Sequence, residues 1–284
     1  MIDLHSHTNE SDGTFTPLEL VELAMERGVE ALAISDHDTF AGYDQALPEA
    51  QSRGLDLVCG IELSTRAPGA GAKGRAVHLL GYFLRQPPPA DFRAWLAELI
   101  EGRRDRNRRL IASLREKGVE IELAEVERLG RTLTGRPHFA RILMDKGYAA
   151  NYEEAFRRYL GETAPTFVER YAPDVPVAIR RVLDAGGLPV LAHPIRLGMR
   201  DLNAEETFIR EMRDAGLRGI EVFHSDHRPP DMERYSGIAR KYNLLVTGGS
   251  DFHGDIKPQI LLGTGFHGNL NIPISVLNDM RASA

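Results

Sequence analysis

Histidine and acidic residues stand within or just after several short apolar runs of this 284-residue sequence. His5 and His7 form an H-x-H pair, and residues i and i+2 of a strand point to the same face, so both imidazoles can reach one ion. Asp12 follows in an SDG loop. The same placement recurs further along the chain at His37, Glu62, His78, His193, Asp251 and His253.

These six imidazoles and three carboxylates are more ligands than one ion needs, and they predict two or three divalent ions. Mn²⁺, Zn²⁺ and Fe²⁺ all suit mixed nitrogen and oxygen ligands. A single histidine such as His78 is more often a buried structural residue, and short His pairs arise by chance. Nine such residues at strand ends, where α/β barrels place active sites, favour the metal interpretation. Asp36 and Asp38 are expected to orient imidazoles or to cap the next segment, with direct ligation as the alternative.

Alternating strand and helix patterns must position these residues. Strands are predicted at residues 1–4, 31–34, 57–63 and 76–83, and again at 188–192, 219–223 and 244–247. Helices are predicted between them, at residues 17–27, 43–53, 177–185, 205–215 and 232–242. Thr16 before Pro17 is a plausible helix cap. The rhythm is typical of a parallel α/β sheet or barrel.

The alternation of strand and helix patterns stops after three consecutive prolines at 87–89, and residues 91–170 are charged and helix-forming. We therefore predict one barrel-like α/β domain, built from residues 1–100 and 169–284. A small helical insertion at residues 101–168 is predicted to interrupt it and to cover the active site. The glycine-rich stretch PGAGAKG at 68–74 is predicted to be a loop.

Composition narrows the class of protein. The chain is 42% hydrophobic and 27% charged, which is typical of a globular fold. Its net charge of −6 disfavours a nonspecific nucleic-acid binder. The single cysteine, Cys59, excludes an internal disulfide framework, suits a reducing compartment and is expected in the core. We see no membrane-spanning run and no signal peptide, so a cytoplasmic location is expected, and no protein partner is implied.

Arginines in the predicted insertion are candidate phosphate ligands. The stretch EGRRDRNRRLIASL carries Arg103, Arg104, Arg106, Arg108 and Arg109 on a predicted helix. A solvated basic face is the alternative for most of them, and Arg103 and Arg104 are the preferred substrate contacts. A second candidate stretch is TLTGRPHFARIL, in which a helix is predicted to start at Pro137. The residues around this start offer backbone N–H groups, a hydroxyl and a guanidinium to an anion. Its candidate residues are Thr134, Gly135, Arg136 and His138, the last of which could instead pack in the first turn.

Several other residues are assigned structural roles. The aromatic series Tyr148, Tyr152, Phe156 and Tyr159 recurs at helical spacing and predicts the core of the insertion, with one nucleobase contact as the alternative. His224 and His227 exceed the predicted ligand set, and a substrate contact is the lesser interpretation for them. His267 is predicted to be structural or exposed.

The motifs MIDLHSHTNESDG, ISDHDT, GIELS, HLLGYF, LAHP and GSDFHG resemble those of the polymerase and histidinol phosphatase (PHP) family. They follow the family's order over nearly the whole chain. With GRPH, they are most similar to the nucleoside 3′,5′-bisphosphate phosphatase branch, some members of which are also described as 5′-to-3′ exoribonucleases. The resemblance implies a distorted (β/α)7 barrel with a trinuclear metal site. It also implies that all nine residues are ligands, with Asp12 and His37 sharing one ion and Glu62 bridging two.

Such a site suits phosphate-ester hydrolysis by a metal-bound hydroxide, with Mn²⁺ as the expected ion. Asp251 and His253 are the candidates for handling the catalytic proton. The leading hypothesis is removal of the 3′-phosphate of a nucleoside 3′,5′-bisphosphate such as adenosine 3′,5′-bisphosphate (pAp). Trimming of short RNA from its 5′ end and hydrolysis of histidinol phosphate are the alternative activities. A noncatalytic metal-binding or regulatory module is the alternative from a different class.

Overall fold

The computed structural model describes residues 1–68, 75–169 and 171–284, so most of the loop predicted at 68–74 lies outside the described residues. Seven strands form one sheet in chain order. They are β1 (Ile2–Ser6), β2 (Ala31–Ile34), β3 (Asp56–Arg66), β4 (Ala76–Phe83), β5 (Leu188–Leu191), β6 (Gly219–His224) and β7 (Leu245–Gly249). The short strands β8 (Ile260–Leu261) and β9 (Gly265–Phe266) form a separate antiparallel pair.

The first strand of the sheet meets the segment that follows the last. Ser6 forms a parallel bridge with Phe252, and the Asp251 N–H donates to the carbonyl of His5 at 2.8 Å. Gly249 allows this approach, because a Cβ there would collide with the backbone nitrogen of His5. The sheet is therefore a nearly closed, seven-strand barrel, which confirms the predicted α/β barrel class.

One strand runs against the others, so the expectation of a parallel rhythm is wrong for β4. Strand β4 pairs antiparallel with both β3 and β5, whereas all other neighbours in the sheet are parallel. Only residues 67–75 join β3 to β4, and a parallel pair needs a crossover of a dozen or more residues. As a consequence, the beginning of β4 lies at the barrel end where the parallel strands finish.

Six helices pack against the barrel. Five bury apolar faces in one core cluster, and the last buries Val276, Leu277 and Met280 in a second cluster. The Thr16 hydroxyl accepts from the Glu19 N–H at 3.2 Å and the Glu19 carboxylate accepts from the Thr16 N–H at 2.8 Å, which makes Thr16 the predicted cap. The helices are α1 (Pro17–Glu26), α2 (Ala41–Arg53), α7 (Val175–Asp184), α8 (Leu202–Asp214), α9 (Pro229–Tyr242) and α10 (Ser275–Ser283).

The region between β4 and α7 is helical, as its composition predicts. It contains α3 (Ala90–Glu116), α4 (Leu123–Glu127), α5 (Arg136–Asp145), α6 (Tyr152–Ala155) and a π-helical turn (Phe156–Leu160). The first half of α3 buries Trp95 and Leu99 in the barrel core, and its second half buries Leu110 and Leu114 in a separate helical cluster with α5. Since α3 crosses residue 101, the insertion boundaries stay a prediction. No helix of the described residues is long and apolar enough to span a bilayer.

Candidate active site

The nine predicted ligands converge at one end of the barrel. The parallel strands β1, β2, β3, β5 and β7 deliver these residues near or after their carboxyl ends. Strand β4 delivers His78 near its start because it runs in the opposite direction. Glu62 on β3 lies at the centre. Its Oε1 lies 2.8 Å from His78 Nδ1 and 2.9 Å from His193 Nε2. Its Oε2 lies 3.2 Å from His7 Nε2 and from His37 Nδ1, and 3.4 Å from His5 Nε2.

Two aspartates complete the cluster on either side of His7. Asp251 Oδ1 lies 3.3 Å from His7 Nε2 and 3.5 Å from His5 Nε2. Asp12 Oδ1 lies 3.7 Å from His7 Nδ1 and 3.5 Å from His253 Nε2. Asp12 also approaches His37, whose Nε2 is 3.7 Å from Oδ2.

These residues fit divalent ions. His5 Nε2, both ring nitrogens of His7 and His37 Nδ1 are buried without a hydrogen-bond partner among the described residues, an arrangement that costs free energy unless something binds them. Two ligands on one ion with bonds of 2.0–2.2 Å are separated by about 2.8–3.6 Å. Most of the nitrogen–oxygen distances around Glu62 and the two aspartates fall in that range.

Asp12, Glu62 and His37 already have the protonation states that metal binding requires, whereas His7 does not. Burial opposes ionisation of Asp12 and Glu62, but the neighbouring imidazoles hold the pKa of both carboxyls well below the usual range. Burial lowers the pKa of His37 to about 4. At His7, burial is outweighed by Asp251 and Glu62, which raise its pKa to about 9. Metal binding at His7 therefore displaces a proton.

Buried carboxylates outside the cluster fix the ligands in place. Glu221 on β6 accepts from His5 Nδ1 at 2.9 Å and from the backbone N–H of His193 at 2.7 Å, which turns His5 Nε2 toward the cluster. Asp36 accepts from the backbone N–H of Thr8 at 2.8 Å and from the Ser11 hydroxyl at 2.6 Å, and so holds the loop that carries Asp12. Glu221 escapes the sequence analysis, although a glutamate inside the apolar run GIEVF is the signal that could have identified it.

Asp251 connects the cluster to two cations. Its Oδ2 lies 2.8 Å from both Arg196 Nη2 and Lys257 Nζ. Burial opposes its ionisation, but the charges of Lys257 and Arg196 hold the pKa of Asp251 well below its usual range. Asp251 is therefore ionised at neutral pH, which favours its predicted role as a ligand over a role as a proton donor. His253 directs Nε2 toward Asp12, while its Nδ1 lies 2.8 Å from the Asp251 carbonyl.

Backbone strain is concentrated at the same place. His193 and Asp251 have φ values of 24° and 57°, and Asp38 next to His37 has a φ of 52°. A non-glycine residue in this region costs about 1–3 kcal/mol, so the surrounding contacts must hold these conformations. Such strain is common at functional sites.

A cleft of about 240 Å³ opens beside Asp12, His37 and His78, and arginines from three elements line it. Arg103 on α3 donates to the Asp38 carboxylate and to the Ser64 hydroxyl, the latter at 3.0 Å. Arg136 at the start of α5 donates to the carbonyl of Leu160 at 3.3 Å. The arginines of the cleft are Arg66, Arg103, Arg106 and Arg136.

The structure divides the predicted substrate contacts into two groups. Arg103, Gly135, Arg136 and His138 line the cleft. Arg104 does not line the cleft. It lies about 100° around α3 from Arg103, is exposed and lies 3.4 Å from Glu101.

The loop before α5 also differs from its prediction. The Gly135 N–H donates to His138 Nδ1 at 3.0 Å, so it is not offered to an anion. The Thr134 hydroxyl donates to the Gly130 carbonyl at 3.1 Å, and Thr134 faces a second depression together with Arg104.

Arg106 and Arg66 are cleft residues that the sequence analysis does not select. Arg106 is one helical turn after Arg103, in line with the buried Leu99 and Leu110. The apolar stripe of α3 thus points to the face that carries Arg103 and Arg106, and this pattern could have separated Arg106 from Arg104.

Most of the residues assigned structural roles lie away from the nine candidate ligands, and His224 is the exception. Cys59 is buried in the barrel core as predicted, and burial raises the pKa of its thiol to about 12. His227 is buried and its Nδ1 donates to the Val222 carbonyl at 2.8 Å. His224 is buried with Nε2 3.6 Å from Asp251 Oδ2, and with His5 and Glu221 it forms a further candidate metal-binding group. His267 is exposed. The four predicted insertion aromatics pack against the helical cluster.

The model of the PHP domain family matches residues 3–169. The chain belongs to the PHP family. Among curated proteins, it is 34% identical over 255 residues to a 3′,5′-nucleoside bisphosphate phosphatase of Chromobacterium violaceum, covering 89% of this chain and 87% of that one. It is 32% identical to a 5′-3′ exoribonuclease of Haemophilus influenzae, covering 88% and 89%. It is 35% identical to a phosphoribosyl 1,2-cyclic phosphate 1,2-diphosphodiesterase of Eggerthella lenta, covering 89% and 94%.

Solved structures agree with this assignment. A protein of Bifidobacterium adolescentis, provisionally described as a metal-dependent phosphoesterase, superposes with a TM-score of 0.83 at 31% identity and covers 99% of this chain and 95% of that one. A Chromobacterium violaceum protein, solved as an amidohydrolase with sulfate and no metal, superposes with a TM-score of 0.84 at 31% identity. The match covers 99% of this chain and 96% of that one. This PHP protein is a metal-dependent phosphoesterase with candidate metal-binding clusters of histidine and acidic residues.

Proposed function

We propose that this PHP phosphoesterase removes the 3′-phosphate from nucleoside 3′,5′-bisphosphates, yielding AMP and phosphate from pAp. The observation that carries the proposal is the arginine-lined cleft directly beside the ligands Asp12, His37 and His78. A bisphosphate needs two anion sites, and guanidinium groups hold phosphate through paired hydrogen bonds. The 3′-phosphate would lie at the ligand cluster and the 5′-phosphate among the arginines.

In this proposal the nine convergent residues hold two or three divalent ions, with Mn²⁺ as the first to test. Such ions would polarise the phosphoryl oxygens and activate water for attack on phosphorus. The protein's own contribution is positioning, since Glu221 orients His5 and Asp36 fixes the loop of Asp12. Residues 101–168 form the proposed helical insertion, and its Arg103, Arg106 and Arg136 would bind the second phosphate.

The deciding experiment incubates the Mn²⁺-loaded protein with pAp and follows inorganic phosphate and AMP together. Equal, rapid release of both products supports the proposal and places the cleaved ester at the 3′ position. Absence of release with metal confirmed bound would reject it.

Variants of two arginines test the proposed phosphate grip. Loss of a charge-assisted hydrogen bond costs about 1.5–3 kcal/mol, so we expect Arg136→Met to lower kcat/KM for pAp roughly ten- to hundredfold. Arg104→Met is the matched control, because Arg104 lies outside the cleft. Equal losses of kcat/KM in the two variants would contradict the assignment of Arg136 as a phosphate ligand.

A second activity, 5′-to-3′ trimming of short RNA, is favoured by one observation. The depression that contains Arg104, Arg108 and Arg131 shares Arg103 and Leu133 with the cleft, so cations continue beyond the mononucleotide site. A 5′-phosphorylated oligoribonucleotide assayed in parallel with pAp distinguishes the two activities. Processive release of mononucleotides, with an affinity that falls steeply with salt, would favour trimming.

A further inference from the structure

The cleft beside the metal ligands contains an apolar patch that phosphate binding does not explain. Phe156, Phe167 and Val168 line it, and all three are half-buried. Two acidic residues of the lining, Glu162 and Glu169, come from the same stretch of chain, and Glu169 pairs with Arg66. Apolar and acidic groups disfavour an anion, so this part of the cleft suits an uncharged, flat group with N–H donors.

Phe156 is held in place from two sides. It begins the π-helical turn, in which the Gly161 N–H donates to the Phe156 carbonyl at 2.7 Å. Its ring packs partly against the helical cluster, and the Arg136 guanidinium lies 5.8 Å from the ring centroid. π-helical turns are frequent at functional sites, and this one presents an aromatic side chain to the cleft.

Arg136 connects the aromatic patch to the proposed phosphate site. One guanidinium nitrogen bonds the Leu160 carbonyl at the end of the π-helical turn, and the same side chain lies on the cleft lining with Arg103. A phosphate held by these arginines would therefore carry the rest of its nucleotide past Phe156. Aromatic side chains stack on nucleobases of every sequence, because each base has a π-face.

We propose that Phe156 and Phe167 form a nucleobase subsite of this cleft, which makes the enzyme selective for nucleotides over sugar phosphates. The inference rests on the proposed function and names what its substrate carries besides two phosphates. Stacking on phenylalanine predicts weak discrimination among bases and strong discrimination against a substrate without a base.

The test compares pAp with its abasic analogue, 1-deoxyribose 3,5-bisphosphate, on the metal-loaded full chain. We expect the wild type to show a KM about tenfold lower for pAp than for the analogue. Phe156→Leu keeps an apolar side chain for packing and removes the ring. It should raise the KM for pAp about tenfold with little change in kcat, and leave both constants for the analogue unchanged. Tyr159→Leu, on the same turn but outside the cleft, is the control and should change neither.

Two results would overturn the subsite. One is equal KM values for the two substrates in the wild type. The other is an equal change for both substrates in Phe156→Leu, which would make the ring purely structural.

Calorimetric binding separates this inference from the proposed function. If neither bisphosphate is hydrolysed, the proposed function fails, and AMP and ribose 5-phosphate are then titrated into the same proteins. Tighter binding of AMP that is lost in Phe156→Leu supports the subsite. Equal affinity for the two ligands rejects it.

Discussion

At the scale of single residues, the types of the candidate ligands were predictable from sequence, whereas most of the residues that support them were not. Histidines and carboxylates that follow apolar runs identify themselves by type and position. Glu221 stands out as a glutamate in the apolar run GIEVF, but its partner is known only once the fold brings its carboxylate to His5 Nδ1, 216 residues earlier. Arg196 and Lys257 reach Asp251 for the same reason, from two different loops. Contacts between residues that are distant in sequence produce no local spacing pattern, so they could not be predicted from the sequence.

We expect Glu221→Gln to lower the affinity for metal by about ten- to a hundredfold, because the carboxylate that orients His5 loses its charge. Metal content after dialysis against graded Mn²⁺ measures the effect. Glu205→Gln is the matched control, since Glu205 is equally buried but bonds Tyr235 and Arg234 instead of a candidate ligand. A similar loss of metal in both variants would show that Glu221 acts only through stability.

Cys59 makes stability depend on alkaline pH. Burial raises the pKa of its thiol from the ordinary 9.0 to about 12, so the neutral thiol is favoured in the native state. The neutral thiol's contribution to the free energy of unfolding is complete below pH 9 and is lost as pH rises toward 12. The reason is that the thiol ionises at a lower pH in the unfolded chain than in the native state. Between pH 8 and pH 10 the stability difference between wild type and Cys59→Ala should shrink by about 1.4 kcal/mol in urea unfolding. A constant difference would place an ionisable or exposed thiol in the native state.

At the scale of elements, the helix and strand patterns were predictable and their directions were less so. The sequence run of β4 is as apolar as that of a parallel strand, and only the length of the connection to β3 distinguishes the two. On α3, the charge density of five neighbouring arginines conceals the stripe that selects Arg103 and Arg106. The burial face of a helix is therefore a better guide to its functional residues than its composition.

Helix α3 is expected to couple the barrel core to the helical cluster. Leu114 is fully buried at its far end, so Leu114→Ala should cost about 2–5 kcal/mol. Trp95, the single tryptophan, reports on the barrel end of the same helix. If the two ends of α3 are coupled, Leu114→Ala should lower the urea midpoint equally by tryptophan fluorescence and by circular dichroism. The control Leu202→Ala, at an exposed site, should change neither midpoint. A separate early transition in circular dichroism alone would make residues 101–168 an independently unfolding unit.

At the scale of the whole molecule, the barrel and the ligand cluster stabilise each other. The alternation of strands and helices predicts a barrel, but it does not show that Gly249 lets the last strand approach His5. Ligands from β1, β3, β4 and the segments after β2, β5 and β7 surround a common space. An ion bound there connects elements from both ends of the chain.

Metal should therefore raise the melting temperature. Ligand at a hundredfold excess over its dissociation constant stabilises by about 2.7 kcal/mol per site, which corresponds to several degrees in a protein of this size. Differential scanning fluorimetry with EDTA and then with Mn²⁺ measures the shift. Glu62→Gln, which alters the carboxylate between five imidazoles, should reduce it strongly. An unchanged melting temperature on saturation would argue against ions at this end of the barrel.

The approach of residues 251–252 to the first strand has a consequence for biosynthesis. His5 and His7 leave the ribosome long before Asp251 and His253 do. No growing chain that has not yet reached His253, and no fragment that ends before Asp251, can present all nine candidate ligands. Divalent ions that need all nine residues would therefore bind only after Asp251 and His253 have joined the fold.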